Sequence, residues 1–265
     1  SLVKQALAIL KNNANVAVNL SAIEVTAADA NAIAKATKGA LTATIKDGKV
    51  AETLKALSDV SASDNITFTT TDRTVKASDL FALGAKFKNI GQFDASSVTT
   101  VTGDGKDVAT LVAALNTAAA AGATITDTTV VGSITLTELA AIKAAGSGDL
   151  TATVAADTAA NLNTKLTAAG TTTDILTLTV NGTTAAAGDL DDLVGLTGGK
   201  IKLDATTVSG LLADVQSVYI TNKASFTALG NENIIIDPAG TPTAAQLNAI
   251  AAATTGKVTA TLAPA

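Results

Sequence analysis

Acidic side chains recur near the ends of short apolar segments of this chain, where their oxygens could hold a hard cation. The candidates are Asp47, Asp72, Asp104, Asp107, Asp157, Asp204 and Asp237. Carboxylate oxygens are preferred ligands of Ca2+, so an aligned series of them would form a calcium site. Asp is equally common in turns, where it accepts hydrogen bonds from local amides. We favour the turn role, and calcium is the one cofactor that the pattern suggests.

Threonines alternate with apolar residues in these segments, as in the run from Leu41 to Ile45. Such alternation predicts a β-strand with its threonines on one exposed face. The threonines concerned are Thr42, Thr44, Thr67, Thr69, Thr151, Thr153, Thr177, Thr179, Thr259 and Thr261. The Thr-x-Thr triplets resemble the flat threonine surfaces of ice-binding β-solenoids, which implies a face that binds ice, a glycan or a protein. Thr is also an ordinary residue at exposed strand positions, and this is the favoured interpretation.

Catalytic chemistry has few residues to draw on. The chain contains no His and no Cys, which excludes Ser-His-Asp and Cys-His catalysis, disulfides, and thiolate or imidazole metal sites. No phosphate-binding glycine loop follows a strand. A pair of carboxylates acting as in a hydrolase is the remaining enzymatic alternative. We therefore expect a protein that is not an enzyme. Tyr219, the single tyrosine, marks either a ligand site or a core position of a strand.

The charge balance and hydropathy bear on the partners. Lys and Arg total 18 against 23 Asp and Glu, which gives a net charge of −5, and Arg73 is the only arginine. A nucleic-acid surface needs concentrated Lys and Arg, so we expect no nucleic-acid partner. The most apolar stretch, residues 108–125, is interrupted by polar side chains, so we expect no transmembrane segment.

Three distant stretches of the chain align with one another without a gap. They are TAADANAIAKATKGALTATI from Thr26, TLTELAAIKAAGSGDLTATV from Thr135 and TAAQLNAIAAATTGKVTATL from Thr243. Each is predicted to be a short helix, a glycine stop and a Thr-Ala-Thr strand. One helix and one strand cannot bury their apolar faces alone, so such units must stack on their neighbours.

Local signals mark both ends of these helices. Pairs with capping-box or similar spacing open them: Thr26 with Asp29, Thr135 with Glu138, and Thr243 with Gln246. In a capping box the hydroxyl accepts an early amide and the longer side chain reaches back. Glycines in a left-handed conformation are predicted to close them: Gly39, Gly148 and Gly256.

Strand starts recur along the whole chain. The predicted first apolar residues are Val16, Leu41, Ile66, Ile90, Ile125, Leu150, Leu176, Ile201, Val218, Ile234 and Val258. Most steps are 24 to 26 residues, which is typical of a short strand-helix repeat. We predict an α/β solenoid of about ten repeats, with a parallel sheet on one side and short helices on the other. Residues 1–265 would form a single array, irregular around 87–124 and 205–234.

Repeats rich in Ala and Thr, with 2% aromatic residues and no Cys, are similar to bacterial surface-layer proteins, adhesins and extracellular filament subunits, cyanobacterial ones included. This resemblance implies a secreted or cell-surface repeat protein. A start at Ser1 without Met predicts a mature product or a piece of a longer repeat protein. We expect a structural homo-oligomer or polymer that forms a filament or lattice. The alternatives are a monomeric adhesin or binding module and, third, a carboxylate-dependent hydrolase.

Overall fold

The computed structural model describes residues 2–87, 93–117, 123–239 and 241–261. The chain folds as two compact units. The N-terminal unit is Ser1–Thr129 with Ala145–Gly148, and the C-terminal unit is Val130–Ala144 with Asp149–Ala265. Parallel strands and short helices make up both units, which confirms the predicted α/β class. One continuous array over residues 1–265 stays a prediction.

Short helices recur throughout the described part of the chain. Their bounds are α1 (Leu2–Leu10), α2 (Ala27–Ala36), α3 (Val50–Ala56), α4 (Ala77–Gly84), α5 (Gly105–Thr117), α6 (Leu136–Ala144), α7 (Ala159–Ala169), α8 (Ala187–Gly195), α9 (Leu212–Gln216) and α10 (Ala244–Ala251). A π-helical turn at Ser217–Thr221 and a 3-10 turn at Lys223–Ser225 follow α9. No described helix is long and apolar enough to cross a membrane.

The strands are short and precede most of these helices. Their bounds are β1 (Val18–Val25), β2 (Leu41–Gly48), β3 (Asn65–Thr70), β4 (Thr74–Lys76), β5 (Phe93–Asp94), β6 (Thr100–Gly103), β7 (Asp127–Ile134), β8 (Asp149–Val154), β9 (Ile175–Val180), β10 (Thr184–Ala186), β11 (Ile201–Leu203), β12 (Thr207–Gly210), β13 (Phe226–Thr227), β14 (Asn233–Ile236) and β15 (Val258–Thr259). Alternate positions are buried, as Leu150, Ala152 and Val154 of β8 show.

In the N-terminal unit, strands of successive repeats pair in parallel. One sheet has the order β1-β2-β3-β5, and β4 pairs with β6. Leu41 lies opposite Val18, and Ile66 lies opposite Ala43. Helices α1 to α5 pack each against the next in the same order. Within this unit, each strand-helix segment therefore packs against its neighbours in the chain.

In the C-terminal unit, repeats contribute strands to two sheets. β8, β9, β11 and β13 pair in that order, and β10, β12, β14 and β15 form a second parallel sheet. β9 ends at Val180 and β10 begins at Thr184, with Gly182 between them at φ 106°. This left-handed residue bends the chain from one sheet to the other. The expectation of one strand per repeat is corrected here to two short strands and a helix.

Most predicted strand starts lie in strands. Those confirmed are Leu41, Ile66, Leu150, Leu176, Ile201, Ile234 and Val258, whereas Val16 and Ile125 each come two residues before a strand. Ile90, and Leu262 at the end of the third aligned stretch, lie outside the described residues. Val218 is wrong as a strand start, because it belongs to the π-helical turn. Leu212, Val215 and Val218 are three residues apart, as on one face of a helix. In a short apolar run, periodicity alone does not distinguish such a helix from a strand.

The predicted helix caps form, but two of the predicted glycine stops do not. The Thr26 hydroxyl accepts the amide of Asp29 at 3.0 Å, and both Thr135 with Glu138 and Thr243 with Gln246 form capping boxes. Gly148 has the predicted left-handed conformation, with a φ of +64°, but it lies four residues beyond Ala144, where α6 ends. Gly39 and Gly256 are not left-handed, so this prediction is wrong for them. They are needed because a side chain there would overlap the backbone of the preceding repeat.

Candidate functional site

The predicted threonines lie on exposed or half-buried positions, but they do not form continuous ladders. The strand register brings together two Thr pairs, Thr44 with Thr67 and Thr153 with Thr177. The other strand positions have different neighbours: Thr42 lies opposite Asn19 and Asn65, Thr69 opposite Asp94, Thr151 opposite Ile175, Thr179 opposite Lys202, and Thr259 opposite Ile235. Thr261 follows the end of β15. The regular threonine array is thus broken in both units.

The predicted aspartates bond mostly to nearby groups. Four of them accept a hydrogen bond from a backbone amide. The pairs are Asp72 with the Val50 amide at 2.8 Å, Asp104 with that of Asp107 at 2.9 Å, Asp157 with that of Thr158 at 2.7 Å, and Asp237 with that of Ala239 at 3.0 Å. Asp204 pairs with Lys202 at 2.8 Å, Asp47 is exposed in β2, and Asp107 lies in the first turn of α5. No three acidic side chains converge within the ranges that the structure describes. These contacts fit the local turn and capping role for Asp104, Asp157 and Asp237, whereas Asp72 accepts an amide from the preceding repeat.

A Thr-x-Gly clamp, which the sequence reasoning missed, joins successive repeats. Its members are Thr37 with Gly39, Thr197 with Gly199, and Thr254 with Gly256. The Thr197 hydroxyl accepts the amides of Leu176 and Gly199 and donates to the Leu176 carbonyl, all within 2.8–2.9 Å. The signal was present, since each Thr stands four residues before a predicted strand start. The clamp holds each of these strands to the preceding repeat.

Buried aspartates join other repeats. Asp64 Oδ1 accepts the Leu41 amide at 2.8 Å, and Asp174 Oδ1 accepts the Leu150 amide at 2.8 Å. The Lys143 ammonium lies 2.9 Å from Asp174, whose side chain is fully buried. Because each aspartate bonds to a strand 23 or 24 residues earlier, it fixes the spacing between repeats. These contacts are structural, and they explain why buried carboxylates occur in a chain with few charged residues.

Tyr219 and Glu232 form a buried pair in the irregular repeat of the C-terminal unit. Tyr219 is 1% exposed, and its hydroxyl donates to Glu232 Oε2 at 2.9 Å. The same oxygen accepts the amides of Gly230 and Asn231, while Oε1 has no hydrogen-bond partner among the described residues. Burial, then the charge and hydrogen bond of Glu232, raise the pKa of Tyr219. The core alternative for Tyr219 is therefore confirmed, although in a helical turn rather than a strand.

We expect Tyr219 to stay protonated in the folded protein as the pH rises past about 10, where an unfolded tyrosine ionises. Between the unfolded and folded pKa values the native state binds more protons, so stability falls as pH rises. Tyr219 is the only tyrosine and the chain lacks Trp, so tyrosinate absorbance reports this group alone. As the pH is raised, the tyrosinate absorbance should appear together with loss of the far-UV circular dichroism signal. Tyrosinate formed in the folded state near pH 10 would contradict the prediction.

A polar cavity, the loop pocket, is lined in part by Asn231 and Asn233, the sequence neighbours of Glu232. Its volume is about 340 Å3. Residues lining it include Leu203, Asp204, Thr206, Ala228, Asn231 and Asn233. Part of its lining comes from the 228–232 loop, in which Ala228 has a φ of +59°. A non-glycine residue in this region is uncommon and is held there by its surroundings. Carboxylate, carboxamide and hydroxyl groups in the loop pocket can bind a polar ligand.

An apolar cavity, the α1 groove, lies in the N-terminal unit. Its volume is about 270 Å3, and its lining includes Leu2, Ala6, Ile9, Leu10, Val16 and Val18. Leu2 and Ile9 are 53% and 59% exposed. The groove runs beside β1, which is an edge strand of its sheet. An exposed apolar groove at a sheet edge is typical of a protein-protein contact.

Comparison with known proteins gives no assignment: no protein-family model matches the chain, and no curated protein is significantly similar to it.

Proposed function

We propose that this chain is a non-catalytic structural repeat protein, secreted or at the cell surface, that self-associates by extending its own repeat stacking. The observation that supports this is the position of β1, which pairs only with β2 among the described residues and lies beside the α1 groove. We further infer that the repeats form a solenoid. Parallel pairing of successive strands and packing of successive helices within each unit support that inference. The Ala- and Thr-rich composition supports the location.

A second copy of the chain suits the α1 groove because the other side of the same elements already binds a repeat. On that side α2 packs against α1, and β2 pairs with β1 with Leu41 opposite Val18. A helix-strand repeat from another copy can use the same geometry on the open side. Such a contact joins two different surfaces, so it can continue into a filament or lattice.

The apolar groove, more than strand pairing, carries the proposed contact. On β1, Asn19 Oδ1 accepts the amide of Ser21 at 2.9 Å and its hydroxyl at 2.8 Å. This side chain satisfies an amide that would otherwise be free to pair with another strand. Polar protection of this kind limits unspecific edge-to-edge association. A partner therefore has to be recognised by the side chains of α1.

Ile9→Glu should weaken self-association by about tenfold or more, because a charge would be buried in the apolar contact. The fold should survive, since Ile9 is 59% exposed. Light scattering over a concentration series, with electron microscopy of the assemblies, measures the effect. Ala8→Glu is the matched control, because Ala8 is exposed on the same helix and does not line the groove. Monomeric wild-type protein at all concentrations, or equal loss in both variants, would overturn the proposal.

A monomeric binding module is the second candidate, and one observation favours it. In the C-terminal unit Ile175 is 56% exposed on the sheet beside Thr151, next to the Thr153 and Thr177 pair. This face presents methyl and hydroxyl groups together, as a binding surface for a glycan, a protein or ice would. Soluble monomers with saturable binding on this face would favour the module over the assembly.

A further inference from the structure

The loop pocket of the C-terminal unit has a preformed wall. Glu232 is 1% exposed, and its Oε2 accepts the amides of Gly230 at 2.9 Å and Asn231 at 3.2 Å. The Tyr219 hydroxyl donates to the same oxygen and anchors the carboxylate in the core. These bonds hold the 228–232 loop in place, with Ala228 in the left-handed region. A wall fixed in this way loses little conformational entropy when a ligand binds.

The side chains of the loop pocket keep both donors and acceptors for a ligand. Asn231 is exposed, and its carboxamide makes no hydrogen bond to the described residues. Asn233 uses its oxygen to accept the Lys257 amide at 2.9 Å, which leaves its NH2 group as a donor. Thr206 donates to the Thr183 carbonyl at 2.9 Å, which leaves its lone pairs as acceptors.

The charged groups in the lining of the loop pocket limit the class of ligand that it can bind. Among the described residues, Asp204 is the only carboxylate in the pocket lining, and its Oδ2 is paired with Lys202 at 2.8 Å. A calcium site needs six to eight oxygen ligands, usually with several carboxylates, which this lining does not offer. An anionic ligand would be repelled by the carboxylate of Asp204. A planar base would lack an aromatic partner, because the lining has none. Donors and acceptors together, with a charge that is nearly balanced, fit an uncharged ligand rich in hydroxyl groups.

We propose that the loop pocket binds a single sugar residue. Its hydroxyls both donate and accept, so they can bond to Asn231 and Asn233 as acceptors and to Asp204 and Thr206 as donors. The volume of about 340 Å3 lies at the lower end of the range of small-molecule sites, which limits the ligand to about one ring. This function is separate from self-association, and its failure would leave the proposed function standing.

The test is a titration of 15N-labelled protein with glucose, galactose and N-acetylglucosamine at millimolar concentrations. We expect amide shifts at Thr206, Asn231 and Asn233 for at least one sugar. Binding of its methyl glycoside as well would identify the terminal residue of a glycan, whereas binding of the free sugar alone would identify a free monosaccharide. Calcium chloride and inorganic phosphate are the comparison probes. Shifts at these amides with either of them but no sugar would overturn the proposal, as would no shift with any sugar.

Asn231→Ala should weaken sugar binding by about tenfold, the usual effect of losing one or two hydrogen bonds to a ligand. The variant should fold normally, because the carboxamide has no partner to lose among the described residues, and a thermal unfolding curve checks this. Asn248→Ala is the matched control, since Asn248 is exposed on α10 and does not line the pocket. Equal affinity of the Asn231→Ala variant and the wild type would overturn the proposal.

Discussion

Asp174→Ala should lower the free energy of unfolding by about 3–5 kcal/mol, the cost of breaking a buried ion pair by removing one partner. The Asp174 side chain is fully buried, and Lys143, its partner at 2.9 Å, is 15% exposed. The substitution removes the counter-charge of this ammonium. It also removes the acceptor of the buried Leu150 amide, which starts the exposed-and-buried alternation of β8. Urea unfolding followed by circular dichroism measures the change.

Asp64→Ala is the comparison for that variant. Asp64 caps the Leu41 amide at 2.8 Å as Asp174 caps Leu150, but its other contacts are the amide and hydroxyl of Ser61. We expect a cost of about 1–3 kcal/mol, because this substitution removes the acceptor of neutral donors and breaks no ion pair. Replacing Lys143 and Asp174 together by Met and Leu should cost less than Asp174→Ala alone. An Asp174→Ala cost no larger than that of Asp64→Ala would show that the ion pair adds nothing.

Local chemistry accounts for what the sequence predicted well. The Thr243 and Gln246 capping box depends on residues three positions apart, so its geometry is set by the helix that it opens. The alternation in β8 likewise follows from the pleat of a single strand. Neither feature requires knowledge of the neighbouring repeat. The α/β class and the parallel pairing follow from the same short-range patterns, repeated at a near-constant interval.

The register between repeats was not predictable from those patterns. Whether Thr151 faces another threonine or Ile175 depends on how two strands shift relative to each other. The same limit applies to the division of β9 and β10 between two sheets, which depends on a bend at Gly182. The loop pocket lay in the predicted irregular region around 205–234. Its chemistry escaped prediction because Asn231 and Asn233 are ordinary loop residues until the fold places them beside Thr206.

Two glycines of the Thr-x-Gly clamp are required for a different reason from the one that the sequence pattern indicates. Gly39 and Gly256 were expected to be left-handed helix stops, but their backbone is not left-handed. They are glycines because the preceding repeat approaches too closely for a side chain. This reason concerns the interface between repeats: each of these glycines allows the close approach of the preceding repeat. The close stacking of repeats that the proposed function requires therefore depends on glycine at these positions.

Gly199→Ala should lower the free energy of unfolding by about 3 kcal/mol or more, the upper range for overpacking. An added Cβ would overlap the backbone carbonyl of Leu176, and a backbone group cannot rotate away as a flexible side chain can. The strand β11 would have to move from β9, which would also stretch the Thr197 hydrogen bonds to Leu176. Urea unfolding curves of the variant and the wild type measure the cost.

Gly198→Ala is the matched control, one residue earlier in the same turn. A Cβ at Gly198 would meet the Asp174 carbonyl oxygen at 3.7 Å, an ordinary contact, and its φ is not in the left-handed region. We expect no loss of stability, or a gain of about 0.4–1 kcal/mol from reduced entropy of the unfolded chain. The difference between the two variants isolates the close approach of the repeats from the general effect of a Gly→Ala change. Equal effects of both substitutions would mean that the spacing between these repeats is adjustable, and that the clamp does not fix it.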